Sequence, residues 1–332
     1  MRVLYVVDKP LGWTSHDTVR AVREALGTRK AGHLGTLDPL ATGVLAVAAG
    51  PATKLIPFLE GAEKTYLAWI ALGAGSATLD AEGPLTESVD RAAPEVPALI
   101  SAMARVAARR EQVPPAHSAI HVRGRRAYEI ARSGGAPALA PRPARIHELT
   151  LLGVLAATPA GPVPLSCSGG EWRTGEPEQA RAHLPMALAP APVAVVRARV
   201  SAGTYLRAIA RDLGAELGVP AHLAGLVRVT SGPFDLRQAV APAAVGASAG
   251  LDPAGILAWP VHQLSAAELA AVRQGRAIPG ALEGDVVLKD ERGNLAAIAL
   301  GDGANLKPRR VWIAGEWDVA GQDRGSRERE CG

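Results

Sequence analysis

One acidic side chain stands out by its company. Gly32-His33-Leu34-Gly35-Thr36-Leu37-Asp38-Pro39-Leu40-Ala41-Thr42-Gly43 packs three glycines, a proline, two threonines, one histidine and a single carboxylate into twelve residues. Glycines admit positive φ and close backbone approach, while proline fixes the chain just after Asp38 and biases Asp38 toward extended geometry. The composition therefore presents Asp38 stiffly from a loop, where catalytic groups are commonly carried. On residue type alone, His33 five positions earlier reads as an acid–base partner. The spacing matches no phosphate-binding loop and no metal-ligand pattern.

The flanking elements must hold that loop. Residues 2–7 are β-branched and aromatic and read as a buried strand closed by the turn Asp8-Lys9-Pro10-Leu11-Gly12. A helix is expected from Ser15, with Ser15 as N-cap, Val19, Val22 and Leu26 on one face and Gly27 just beyond its end. After the loop come a strand over 43–50, a short helix over 53–59 and a strand over 66–72, then a polar glycine-rich loop over 73–83. Helices are expected at 96–108, 128–132 and 204–217, a short hairpin at 119–126, and strands at 146–155 and 193–201. Residues 156–192 are rich in Pro, Gly, Ala and Ser and read as a surface excursion with at most a short helix. A composition break at 241–257 precedes a helical piece at 265–274, two short strands about an Asp290–Asn294 turn, and a final strand at 310–314. This second unit has the size of a small barrel. The charged residues 321–332 are expected to be disordered.

Composition narrows the classes. The 332 residues are 48% hydrophobic and 20% charged, as in globular proteins, and no apolar run is long enough to span a bilayer. The N-terminal apolar stretch is too short for a signal peptide, so a cytoplasmic location is expected. Cys167 and Cys331 offer neither a disulfide framework nor metal-ligand spacing. The net charge is only +4, but residues 101–150 carry nine arginines (105, 109, 110, 123, 125, 126, 132, 142, 145) against Glu111, Glu129 and Glu148. That imbalance points to an anionic partner.

The loop from Gly32 to Leu45 resembles the signature of the TruB family of tRNA pseudouridine-55 synthases. Further stretches of the family stand in the same order: Asp8-Lys9-Pro10 with Gly12, Lys64-Thr65-Tyr66, Pro114-Pro115 with Ser118-Ala119, Gly124 with Tyr128-Glu129, Arg142-Pro143, Gly203-Thr204-Tyr205-Leu206-Arg207, and Leu226 with Arg228. The block 301–312, with Leu306-Lys307-Pro308-Arg309-Arg310, resembles the family's C-terminal PUA-type RNA-binding domain. The resemblance implies an α/β (α+β) catalytic domain over 1–250, with a central mixed, largely antiparallel sheet and an insertion at 156–192. It also implies a small PUA-like β-barrel over 256–318 and a tail over 319–332.

It further implies a reaction. The T-loop uridine of tRNA becomes pseudouridine: the C1′–N1 bond breaks, the uracil turns, and C1′ bonds to C5. Nothing is oxidised or reduced, so no metal or organic cofactor is expected. Asp38 is the implied essential carboxylate, attacking C1′ or taking a proton at C2′; the residues do not choose between these routes. Arg207 is its implied cation and is expected to hold the Asp38 pKa down. The target base must be flipped out of the RNA to be reached. Of the four tyrosines (5, 66, 128 and 205), Tyr66 is implied to stack on the uracil and to handle the C5 proton, and Tyr205 to line the pocket with Leu226. The resemblance recasts His33 as the residue that fills the place of the displaced base. Lys9 and Pro10 would support the loop. Arg123, Arg125, Arg126, Arg142 and Arg145, with Lys307, Arg309 and Arg310, are the expected RNA-binding cations.

Departures from the family pattern are local. His117 and His121 stand where Tyr and Lys are usual, Val227-Arg228 replaces an Arg-Arg pair, and Ala77 replaces an Asp in a loop that keeps Thr78, Asp80 and Gly83. The expected partner is tRNA through its T-arm, bound by a monomer, with no membrane. Two rivals use the same surface: an RNA-binding or RNA-folding factor without catalysis, and a guide-dependent synthase of ribosomal RNA. A glycoside hydrolase lacks a motif-supported second carboxylate.

Overall fold

The computed structural model describes residues 3–312 except 90–93, 123 and 249; between 156 and 191 it describes only the backbone of three strands. The expected tail, 319–332, and Arg123 lie outside the described residues.

A single sheet of eight strands organises the chain. Its members are β1 (Leu4–Lys9), β2 (Ala31–His33), β3 (Ala41–Ala49), β4 (Lys64–Leu72), β5 (Ile146–Leu155), β6 (Val193–Val200), β7 (Ala221–Ser231) and β8 (Phe234–Asp235). The order is β1-β3-β7-β4-β6-β5, with β2 alongside β3 and β8 alongside β7. Only β3 and β7 run parallel; every other pair is antiparallel. The sheet is thus mixed and largely antiparallel, as the resemblance implies.

Both faces are covered, which is why β3 is buried at all nine positions instead of alternating with polar residues. On one face Tyr5, Val7, Leu45, Val47, Tyr66, Ala68 and Leu226 pack under three helices: α1 (Ser15–Leu26), α2 (Val96–Ala108) and α3 (Leu206–Leu217). The apolar stripe of α3, Leu206, Ile209 and Leu213, is buried there, each side chain contributing roughly 1.5–3 kcal/mol. Gly218 ends α3 in the left-handed conformation at φ 67°. Val6, Val44, Trp69, Val195 and Val227 form the other face.

A second sheet follows: β9 (Val261–Gln263), β10 (Ile278–Pro279), β11 (Glu283–Lys289), β12 (Leu295–Asp302) and β13 (Asn305–Val311), in the order β9-β11-β12-β13-β10. It is an open half-barrel around Leu264, Val272, Val286, Leu288 and Leu306. Val287, Ile298 and Trp312 join the core of the main sheet instead. Trp312 Nε1 donates to Pro51 O (3.0 Å) and Lys54 Nζ to Val311 O (3.1 Å), so the two sheets are fastened by hydrogen bonds as well as apolar contact.

Three expectations are corrected. The cap of α1 is Thr14, which forms a capping box with Asp17; Ser15 is inside the helix and buried. The final strand runs 305–311, earlier than expected. Residues 156–192 hold three strands, Gly161–Ser168, Glu171–Thr174 and Ala182–Met186, where at most a short helix was expected. The period-two run Val163, Leu165, Cys167 carries that signal, and its interleaved prolines disguise it.

Candidate active site

Asp38 stands on the connection between β2 and β3, and nearly every peptide of that connection has a partner. Leu34 N–H donates to Ala46 O (2.9 Å). The Ser15 hydroxyl accepts from Leu37 N–H (2.8 Å) and donates to Leu37 O (3.0 Å). Pro39 O accepts from Gly12 N–H (2.9 Å) and from Lys9 Nζ (3.3 Å), and Ala41 N–H donates to Asp38 O (3.0 Å). Arg228 reaches Thr36 O and Gly35 O at 3.2 and 3.0 Å. Gly43 ends the turn at φ +93°, and a Cβ there would run into the Arg228 carbonyl, so no other residue fits.

Arg207 enters from the first turn of α3. Its Nε lies 3.0 Å from Asp38 Oδ2. The remaining nitrogens are anchored: Nη1 donates to Thr78 O (3.1 Å), Nη2 to His117 O (3.0 Å), and Nη1 lies 3.5 Å from Asp80 Oδ2. Arg207 is 6% exposed and is therefore no surface cation. At His117 the contact is made by the backbone carbonyl, which the departure in side chain leaves in place.

Asp80 was not legible as a site residue. It is buried, accepts from Thr78 Oγ1 and from Glu82 N–H (3.1 Å), and shares Arg207 with Asp38. Leu79 before it takes positive φ (63°), rare for a leucine. Leu79 O and Ala81 N–H pair with Leu223 at the start of β7, which ties the loop to the sheet. The retained Thr78-x-Asp80 was the available signal, but the arginine it serves lies far along the chain, in α3.

The second carboxylate changes the electrostatics. Burial pushes Asp38 above the usual carboxylate range and Asp80 adds to the push, while Arg207 and Lys9 pull against it. The expectation that Arg207 leaves the pKa low is corrected: desolvation outweighs the ion pair. Glu82 is raised as well, by burial and by Asp80 and Asp38. Lys9, fully buried with its ammonium on Pro10 O, Trp13 O and Pro39 O, is lowered to about 8 by desolvation. His33, at the end of β2, is lowered by burial and by the charges of His16 and Arg228. Its ring sits 6.2 Å from that of His16, edge to face.

Tyr66 and Leu226 project from β4 and β7 on the helix-covered face, Tyr66 6% and Leu226 5% exposed. Tyr205 precedes α3, its backbone held on both sides by Gln112, and burial pushes its hydroxyl up. Asp38, Arg207, Lys9 and Tyr205 thus share one electrostatic site at the end of the sheet. Among the described residues, no three of His, Cys, Asp and Glu converge on a point that could hold a metal ion.

The expected RNA-binding cations fall in two groups. Arg125, Arg142, Arg145 and Arg310 are exposed and form no ion pair among the described residues. Arg126 is bonded to Ala119 O, Arg309 is paired with Asp285 (2.7 Å) and Lys307 lies 3.6 Å from Asp302. Two further arginines of the basic stretch, Arg105 and Arg109, fasten α2 to Asp212 and Glu216 of α3.

A partly exposed aspartate paired with a buried arginine, on a glycine-braced loop at the end of a mixed sheet, defines a class: an α+β protein that presents one partnered carboxylate as its candidate catalytic group. Residues 23–172 match the family described as TruB family pseudouridylate synthase (N terminal domain). The tRNA pseudouridine synthase B of Thermus thermophilus is 47% identical over 93% of this chain and 98% of its own length. That of Deinococcus deserti is 44% identical over 92% and 98%. A Cbf5-Nop10-Gar1 complex contains a chain of the same fold, TM-score 0.60 and 22% identity, covering 95% of this chain and 86% of that one. The chain belongs to the TruB family of pseudouridine synthases.

Proposed function

We propose that this enzyme converts the T-loop uridine of tRNA to pseudouridine through Asp38. The observation that carries the reading is the Asp38–Arg207 ion pair on a braced loop, in a chain 47% identical to a tRNA pseudouridine synthase B over nearly its whole length. Ionised Asp38 acts at the sugar–base junction, either bonding C1′ or taking the C2′ proton. The C1′–N1 pair of electrons leaves with the uracil, the base turns, and C5 bonds to C1′ as the Asp38–C1′ bond breaks or, on the other route, as C2′ takes its proton back from Asp38. C5 then loses its proton and N1 gains one, so the product is an isomer.

Arg207 keeps Asp38 aimed while remaining fixed to two carbonyls and Asp80. Tyr66 faces the base, Leu226 and Tyr205 wall the pocket, and Tyr66 is the side chain offered for the C5 proton. His33 works uncharged, as its lowered pKa favours, and replaces the flipped base by packing. Residues 1–250 form the catalytic domain with an inserted sheet at 156–192, and 256–318 a PUA-like RNA-binding domain. Exposed Arg125, Arg142, Arg145 and Arg310 contact phosphates. The enzyme works in the cytoplasm as a single chain without a guide RNA.

The test is incubation of purified protein alone with a uridine-containing T-arm hairpin, mapping product at nucleotide resolution. Pseudouridine at the T-loop position is expected, and Asp38→Asn keeps RNA binding but makes none. No product from the wild type on hairpin or whole tRNA overturns the reading.

A further inference from the structure

One buried cation beside the site has, among the described residues, no carboxylate to answer it. Arg228 is fully buried in β7, where it is the register partner of Tyr66 in β4 and of Gly43 in β3. Among the described residues no acid lies within ion-pair distance of its guanidinium. All three of its nitrogens instead donate to carbonyls: Nε to Val44 O (2.7 Å), Nη1 to Thr36 O (3.2 Å) and Nη2 to Gly35 O (3.0 Å).

Burying a guanidinium against dipoles alone is costly, and an apolar side chain of similar volume would pack there at less expense. The acceptors explain why a cation stands there. Gly35 and Thr36 precede Asp38 and Val44 follows it, so one rigid fork spans the two ends of the turn that carries the carboxylate. A flexible ammonium cannot reproduce that geometry. Of the other clamps, Leu34 N–H holds Ala46 O, Ser15 holds Leu37, and Lys9 and Gly12 hold Pro39; among the described residues only Arg228 holds the carbonyls of Gly35 and Thr36. Gly35 takes φ +88°, a conformation side chains rarely adopt, and a Cβ there would lie 3.3 Å from Lys64 Cε and 3.8 Å from Arg228 Nη1. Alternation along β7 puts Leu226 and Arg228 on one face and Val227 on the other, in the opposite core. Of the usual arginine pair, this chain retains the member on the loop's side.

We propose that Arg228 is a positioning residue for the known chemistry: its guanidinium fork fixes the 35–44 turn so that Asp38 faces Arg207 and the base pocket. The proposal rests on the activity reading above only for its kinetic arm. In single-turnover assays at saturating enzyme, Arg228→Met should lower the rate constant about 100-fold across the whole pH range, the usual scale for a displacement near 1 Å. The RNA Kd should change less than about threefold, since Arg228 touches no solvent. Arg228→Lys should stay about tenfold below wild type, because charge returns without the fork. Amide hydrogen exchange is the second arm: residues 35–41 should exchange faster in both variants, with β4 unchanged. A folded variant with wild-type rate, or with wild-type exchange at 35–41, overturns the proposal. So does failure of both variants to fold, since the arginine would then hold the sheet and not the loop. Should the wild type make no pseudouridine, the activity reading falls while the exchange arm still decides the role of Arg228.

Discussion

Two acids share one arginine at the centre of this site, and their sign rules its pH behaviour. On the mechanism proposed above Asp38 acts ionised, and desolvation with Asp80 nearby raises its pKa above 3.8. The single-turnover rate should therefore fall on the acid side with a midpoint above the ordinary aspartate value. Asp80→Asn removes the like charge, so that midpoint should move to lower pH. The plateau should drop too, by about tenfold or more, as Arg207 loses an anchor. A pH–rate profile of the two proteins checks both; an unmoved midpoint would show that Asp80 does not act on Asp38 through charge. Stability runs the other way. A carboxyl with a raised native pKa binds its proton more tightly folded than unfolded, so its contribution is lost as pH rises through the native value. Asp38→Asn should consequently unfold no earlier than wild type at pH 8 in a thermal melt. The sequence motif carried Asp38, Arg207 and the tyrosines to view because each sits in its own recognisable string. Asp80 and Arg228 escaped because their roles exist only across the fold: Asp80 needs Arg207 of α3, and Arg228 needs the carbonyls of a turn far earlier in the chain.

At the scale of elements, the helix α1 and the strand β1 serve the loop more than they serve themselves. Ser15 looks like a cap by type and position, and the true cap, Thr14, is one residue earlier. What the pattern could not reveal is that the Ser15 hydroxyl is turned inward to both polar groups of Leu37. Ser15→Ala leaves a buried N–H and C=O unanswered and should cost about 1–3 kcal/mol, read by urea unfolding. A loss under about 0.5 kcal/mol would mean that the loop relaxes onto other partners. Strand β1 carries a different tension in Asp8, whose carboxylate has, among the described residues, only Gly43 N–H (3.1 Å) as a backbone donor and is pushed up to about 6 by burial. The native state binds that proton more strongly than the unfolded chain, so stability falls as pH rises from about 4 to about 6. Asp8→Asn keeps the acceptor without the charge and should stabilise above pH 6 by up to about 3 kcal/mol, with no gain below pH 4. Helices and strands with clean periodicity, such as α2 and β5, were legible to within a residue or two. The strands of 156–192 were not, because Pro162 and Pro164 alternate with the apolar residues that open the first of them.

At the scale of the whole molecule, the question is which charges remain to meet an RNA once the protein has folded. The count of nine arginines in residues 101–150 overstates the surface, since Arg105 and Arg109 brace α2 against α3. The half-barrel divides in the same way. Arg309 is paired with Asp285 and lies over the Phe58 ring, and Lys307 leans toward Asp302, whereas Arg310 of the same strand is exposed and unpaired among the described residues. A cation already neutralised by a neighbour releases fewer counterions on meeting a phosphate, because its field was partly cancelled beforehand. Arg310→Ala, Arg125→Ala and Arg142→Ala should each weaken T-arm binding and flatten the slope of log K against log salt by about one unit. Arg309→Ala should change the slope by clearly less, and should instead loosen the packing of β13 on Phe58. None of the four should alter the single-turnover rate at saturating enzyme, since all lie outside the Asp38–Arg207 pair. Salt-dependent binding titrations across about 50–200 mM decide the matter. If Arg309→Ala flattened the slope as much as Arg310→Ala, the ion pair with Asp285 would have to open on the RNA, and net charge would serve as well as paired geometry in predicting the binding face.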